Sequence, residues 1–137
     1  MPYLNVKVGT SLPAGEFDAM ASTLASELSV LTTRWLGKKH ELTAVTIERV
    51  EPKHWFIAGR PLAEQGASSF FHEVTVTAGT NTKDEKAAYL GAVHGLFGRV
   101  LGILNPASYA VIHEVPADAW GYAGDTQERR YVRASSM

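Results

Sequence analysis

An α+β fold is predicted for this chain: two tandem β-α-β units build one four-stranded mixed sheet, with two helices on one face and β-hairpin ends. Three observations predict it. The segment VEPKHWFIAG, Val50 to Gly59, returns as VPADAWGYAG, Val115 to Gly124, at an offset of 65 residues. Before each copy lies a long stretch with apolar residues at helical spacing, bracketed by short runs rich in β-branched residues. The alternating run YLNVKV, Tyr3 to Val8, is matched with HEVTVT, His72 to Thr77, at an offset of 69. The units then differ by four residues, close to one helical turn, which places the difference inside a helix. The whole reads as a single domain, residues 1–137, made of pseudo-repeats 1–66 and 67–137.

Taken in order, the first strand is the alternating run that follows Pro2, a residue tolerated at a strand's first position because it cannot donate to a ladder. A helix follows from about Pro13 to Leu36, with Phe17, Met20, Ala21, Leu24, Leu28, Leu31 and Trp35 as its apolar stripe. TAVTIERV, Thr43 to Val50, reads as a strand parallel to the first, and the aromatic and glycine segment after it as a hairpin. In the second unit Thr82 and Glu85 form a capping-box pattern, and Leu90, Val93, Phe97, Val100, Leu101 and Leu104 form the stripe of the second helix. SYAVIHEV, Ser108 to Val115, closes the sheet. Both helices fall on one face, so the other face is left half apolar and uncovered, which favours a symmetric oligomer.

A chain of 137 residues, 45% hydrophobic and 20% charged, can bury a real core. Its net charge of −1, without a basic run, makes nucleic acid and anionic membranes poor partners and leaves small molecules or protein chains. With no cysteine there is no disulfide, thiolate nucleophile or cysteine metal site. His40, His54, His72, His94 and His113 show neither HxxxH nor HExxH spacing, and no phosphate-binding glycine loop or GxSxG motif is present, so no cofactor is expected. The N-terminus lacks a secretory signal and no apolar run is long enough to span a membrane; a soluble cytoplasmic protein is expected.

Pro2 admits a chemical reading as well as the strand-start one. If Met1 is removed, which the small residue after it permits, Pro2 becomes a secondary amine whose lone pair is aimed by a strand. Such an amine suits proton transfer between carbon and oxygen in a carbonyl–enol interconversion, provided that its pKa lies near the operating pH. Burial and a neighbouring cation both disfavour the ammonium form and would bring the pKa down, and the same cation can hold a carboxylate or polarise the carbonyl oxygen.

The proline directly behind the initiator, the β-α-β unit of about sixty residues duplicated in one chain, and the terminal segment HWFIAGRPLAE together resemble the tautomerase superfamily, which includes 4-oxalocrotonate tautomerase and macrophage migration inhibitory factor. The resemblance covers nearly the whole chain. It implies a homotrimer of two-unit subunits and a cofactor-independent isomerase that interconverts enol and keto forms of a small 2-oxo acid, with Pro2 as general base or acid. Phe56 and Trp120 fall where an aromatic lines the pocket, and Lys38 in WLGKKHE resembles the pocket lysine of the migration-inhibitory-factor branch. The family's arginines are missing: Leu12 and Asn81 stand at one pair of places, Thr46 and Tyr109 at another, and Ala78 and Asn81 where a haloacrylate dehalogenase has them. Dicarboxylate binding and dehalogenation are therefore disfavoured.

Pro2 is thus the candidate catalytic residue, and Lys38, Arg60, Tyr109, Trp120 and Tyr122 are candidate substrate-binding residues. Each also has a structural reading. Trp55, Phe56 and Trp120 fit a core or interface, Lys38 a charge at a helix C-terminus, Tyr109 and Tyr122 half-buried strand or hairpin positions, and Arg129, Arg130 and Arg133 a solvated tail or intersubunit contact. Two alternatives stay open: a non-catalytic trimeric binding or interaction protein that keeps the fold alone, and a decarboxylase or hydratase acting through Pro2.

Overall fold

The computed structural model describes residues 2–135. Its central sheet has the order β2-β1-β5-β6. Strand β1 (Tyr3–Gly9) runs parallel to β2 (Ala44–Val50) and antiparallel to β5 (Ser69–Thr77), and β5 runs parallel to β6 (Tyr109–Val115). Helices α1 (Ala14–Leu36) and α2 (Lys83–Leu101) connect the two parallel pairs. Each unit closes with a two-residue hairpin, β3 (Phe56–Ile57) with β4 (Arg60–Pro61), and β7 (Gly121–Tyr122) with β8 (Asp125–Thr126); the chain then forms α3 (Gln127–Ser135).

Alternation decides which side of the sheet is buried. Leu4, Val6 and Val8 of β1 and Phe70, Val74 and Val76 of β5 point into one core with Phe17, Met20, Leu24 and Leu28 of α1 and Val93, Leu96 and Phe97 of α2. Each such side chain contributes about 1.5–3 kcal/mol when withdrawn from water. The opposite face carries Tyr3, Asn5, Lys7, Glu73 and His113, tied laterally by hydrogen bonds from Asn5 to Glu73 (3.2 Å) and between Glu73 and His113 (2.9 Å).

The helices differ in length by four residues, 23 against 19, as their offsets require. The strand correspondence needs correcting. Tyr3 pairs with Ala44 and Phe71 pairs with Tyr109, and Ala44 and Tyr109 are themselves 65 apart, so Tyr3 answers to Phe71 and the strand offset is 68, not 69. A slip of one residue would set buried Leu4 against Glu73 of the open face. The extra residue sits between β5 and α2, where residues 78–82 do what residues 10–13 do in the first unit. It shifts the helix start relative to the strand without disturbing either.

Local chemistry sets the helix ends. The Thr82 hydroxyl accepts from the Glu85 N–H (3.1 Å) while the Glu85 carboxylate accepts from the Thr82 N–H (2.8 Å). Thr82→Ala is expected to lower unfolding stability by about 1 kcal/mol, read from urea titration, with little change in α1. Helix α1 ends at Gly37, whose φ of 69° lets its N–H return to Thr33 O (3.0 Å) and that of Lys38 to Thr32 O (3.5 Å). Both hairpins turn through an alanine and a glycine at positive φ, Ala58 and Gly59 at 54° and 74°, Ala123 and Gly124 at 53° and 87°. This is the handed turn that two-residue hairpins require.

Candidate functional site

Pro2 is buried at the head of β1, and its carbonyl accepts from the Ala44 N–H at 3.3 Å. Because β1 is antiparallel to β5, Pro2 lies at the end of the sheet where β5 and β6 finish, Tyr3 standing opposite Thr75 and Thr77 opposite Val115. A cavity of about 470 Å³ opens at this end, with Lys38, Thr77, Thr80, Gln127 and Arg130 on its wall. Pro2 is not one of the described residues lining it, and Met1, whose removal would free the Pro2 nitrogen, lies outside the described residues.

Lys38 is delivered to the wall by the turn at Gly37, and its Nζ donates to Thr80 Oγ1 at 2.8 Å. Burial lowers its pKa from the usual lysine value, while the charge of Glu85 works in the other direction. Thr80 in turn donates to Thr77 O (2.6 Å), and Asn81 Nδ2 donates to Leu36 O (2.9 Å), so the β5–α2 connection is laced to the end of α1. Thr77 also accepts, at 3.2 Å, from Nε1 of Trp120, which is half buried. The Gln127 N–H donates to Trp120 O at 3.0 Å, which seats α3 against the same end of the sheet. Tyr122, 40% exposed on the hairpin, lies under the guanidinium of Arg130 at 4.5 Å from ring centre to Cζ.

Four of the predicted residues, Pro2, Lys38, Trp120 and Tyr122, are therefore gathered at one end of the protomer. Arg60 and Tyr109 are not. Arg60 is exposed on β4, beyond the far end of β2, 3.9 Å from Glu64. Tyr109, 68% exposed, begins β6 opposite Phe71 and belongs to a larger apolar hollow of about 890 Å³ on the open face, together with Trp55, Phe56 and His113. Gln127 and Arg130 were not singled out from sequence as binding residues. The three arginines of QERRYVR look alike in a run, but Arg129 and Arg133 both reach Asp125, at 3.9 Å and 2.8 Å, whereas Arg130 falls on another face of the helix.

The internal repeat supplies a comparison. A smaller cavity of about 240 Å³ occupies the other end of the sheet, lined by Ser11, Pro52, Leu62, Leu101 and Ile103. At the offset of 65, Lys38 answers to Ile103, Gln127 to Leu62 and Arg130 to Gln65, and at the strand offset of 68 Pro2 answers to Phe70. The same backbone is thus built twice, once with cations around a cavity and once without. Among the described residues no three His, Asp or Glu side chains are placed to hold a metal ion together, and no helix is long and apolar enough to cross a membrane.

The family model described as tautomerase enzyme matches residues 71–130, which run from β5 into α3. Over the full fold, the structure of a native fused 4-OT is 26% identical, with a TM-score of 0.78, 93% of this chain and 97% of that chain being covered. The chain belongs to the tautomerase superfamily. Two further solved structures share its fold. A fused 4-OT described as a wild-type symmetric trimer is 20% identical, with a TM-score of 0.77 over 92% of this chain and 96% of its own. The protein Pt0534, described as inactivated by 2-oxo-3-pentynoate, is 16% identical, with a TM-score of 0.78 over 93% and 98%. A comparison with curated protein sequences finds no match. The family-model match falls on the second unit of this tautomerase-superfamily chain, whereas Pro2 and Lys38 come from the first.

Proposed function

We propose that this tautomerase-superfamily protein is a cofactor-independent isomerase that interconverts the enol and keto forms of a small 2-oxo acid, with the Pro2 amine moving the proton once Met1 is removed. The observation that carries this reading is the placement of Pro2 at the head of β1, at the end of the sheet that holds the cavity and Lys38. In ketonisation the amine collects the enol hydroxyl proton and a proton is returned to the adjacent carbon. Lys38, partly withdrawn from water and held by Thr80, stabilises the negative charge that develops on oxygen. Trp120 and Tyr122 support the wall of the site, the one through its hydrogen bond to Thr77 and the other beneath Arg130.

The neighbours described as trimers and the uncovered sheet face support a homotrimer as the working assembly. A second reading, a non-catalytic oligomeric binding protein, is favoured by the burial of Pro2 and its absence from the cavity wall among the described residues.

A test that separates the two is covalent labelling with 2-oxo-3-pentynoate, whose conjugated triple bond accepts an amine nucleophile. In Met1-free protein a single adduct is expected on the Pro2 nitrogen, located by mass spectrometry of the N-terminal peptide, and protein that retains Met1 should remain unlabelled there. Equal labelling of the two forms, or labelling confined to lysines, would refute the role given to Pro2.

A further inference from the structure

Resting on the cavity at the Pro2 end of the sheet as the substrate site, we propose that α3 supplies the carboxylate clamp of that site: Arg130 and Gln127 together hold the carboxylate of a small 2-oxo acid, and Lys38 is left to face the carbonyl oxygen. The first support is charge. Arg130 is on the cavity wall and forms no ion pair with a carboxylate among the described residues, whereas Arg129 and Arg133 are both drawn to Asp125. Its guanidinium is nevertheless held in place, stacked on Tyr122 at 4.5 Å and donating through Nη1 to Gln127 Oε1 at 3.1 Å. A guanidinium positioned on one edge keeps further N–H groups for a planar acceptor, which is the geometry of a carboxylate.

The second support is an unmet hydrogen bond. Gln127 is only 8% exposed, lines the cavity, and its Nε2 has no partner among the described residues. The amide cannot be turned over to relieve this, because the guanidinium needs the oxygen, and a flip would set donor against donor. A buried amide donor without an acceptor is costly, and an anion held by Arg130 would bring an acceptor beside it. The third support is the repeat. The equivalent positions in the first unit are Gln65 and Leu62, of which Leu62 lines the smaller cavity, and Gln65 spends its amide on the carbonyls of Ile57, Arg60 and Pro61. The scaffold itself therefore does not require an arginine and a glutamine here. The clamp also answers the absence of the family arginines: a cation comes from the C-terminal helix instead of from the strands.

The test measures binding apart from turnover. Phenylpyruvate is titrated calorimetrically into the Met1-free full-length protein and into Arg130→Gln, Gln127→Met and Arg129→Gln, with phenylacetone, which lacks the carboxylate, as the comparison ligand. Kd for phenylpyruvate is expected to rise about 10- to 100-fold in Arg130→Gln and about 10-fold in Gln127→Met, and to stay within about 2-fold in Arg129→Gln, while phenylacetone binds all four proteins alike. Gln127→Met removes both the unpaired amide nitrogen and the oxygen that accepts from Arg130, two opposed effects, so Tm should change little; a clear fall in Tm together with weaker binding would mean a structural role and overturn the proposal. Unchanged phenylpyruvate affinity in both site variants, or no binding by the parent protein, would also overturn it. The two readings fail separately. Loss of binding in Arg130→Gln with full turnover in Pro2→Ala would sink the amine and keep the clamp, and the reverse pattern would sink the clamp and keep the amine.

Discussion

Pro2→Ala, assayed in Met1-free protein by the ketonisation of phenylenolpyruvate, is expected to lower kcat/KM by about 10²- to 10⁴-fold, the range that a positioned general acid or base supplies. The substitution keeps a terminal amine but gives it up as a ring nitrogen. In proline the pyrrolidine ring closes on the nitrogen and stops rotation about the N–Cα bond, so the strand that fixes the residue also fixes the lone pair. In alanine the amine rotates freely and must be ordered again at each turnover. The fold should survive the change, because the contact that Pro2 makes to β2 runs through its carbonyl, which alanine keeps. Protein that retains Met1 serves as the second arm, since its Pro2 nitrogen is an amide with no basic lone pair, and it is expected to be as slow as the variant. A Pro2→Ala rate within a factor of two of the parent would remove the amine from the mechanism and leave the binding-protein reading.

The second large effect concerns the core. His72 is wholly buried on the helix side of β5, with Nε2 2.8 Å from the Tyr89 hydroxyl, which lies 3.2 Å from the Thr32 hydroxyl. Thr32 donates to Leu28 O at 2.8 Å, so its proton is committed. Tyr89 must therefore donate to Thr32 and accept from the Nε2–H of His72. This leaves Nδ1 as a bare lone pair, and among the described residues it is without a partner. Protonation would place a charged N–H there with no acceptor among the described residues. Burial accordingly drops the His72 pKa from 6.5 to about 4 and, by the same cause, pushes the Tyr89 hydroxyl up to about 12.

The sign follows from which state binds the proton. Between about pH 4 and 6.5 the unfolded chain takes up a proton at His72 that the folded chain refuses, so stability rises with pH across that window. The contribution is fully present above pH 6.5 and is lost progressively down to pH 4, about 3 kcal/mol in all. Urea titrations at intervals from pH 7.5 to 4 should show this decline, and His72→Phe should flatten it. An equal pH slope in the variant would assign the loss to other groups. The chain from His72 through Tyr89 to Thr32 also ties β5, α2 and α1 together with polar bonds inside an apolar core. That arrangement favours a single packing of the two units over alternatives.

Much of the fold was legible because its causes are local. The stripe of α1, the capping box at Thr82, the repeated hairpins and the parallel strand pairs each follow from spacing within a few residues, and duplication let each unit corroborate the other. Even the strand phase was written in the chain, in the match of Val6 and Val8 with Val74 and Val76. The one-residue insertion before α2 hid it from a comparison that assumed one offset from strand to helix.

The sequence by itself determined the fold, the four-residue difference between the helices and the residue type at the head of the first strand, since these depend on periodicity, capping and turn chemistry along the chain. Only the tertiary structure decided which distant side chains share a cavity. Antiparallel pairing of β1 with β5 brings Pro2, the end of α1 and the start of α3 to one end of the sheet, and it leaves Arg60 and Tyr109 at the other. Arg130 could not be told from Arg129 and Arg133 before Asp125 had drawn those two away. Such a choice rests on contacts between segments far apart in the chain, and no local pattern of residues encodes them.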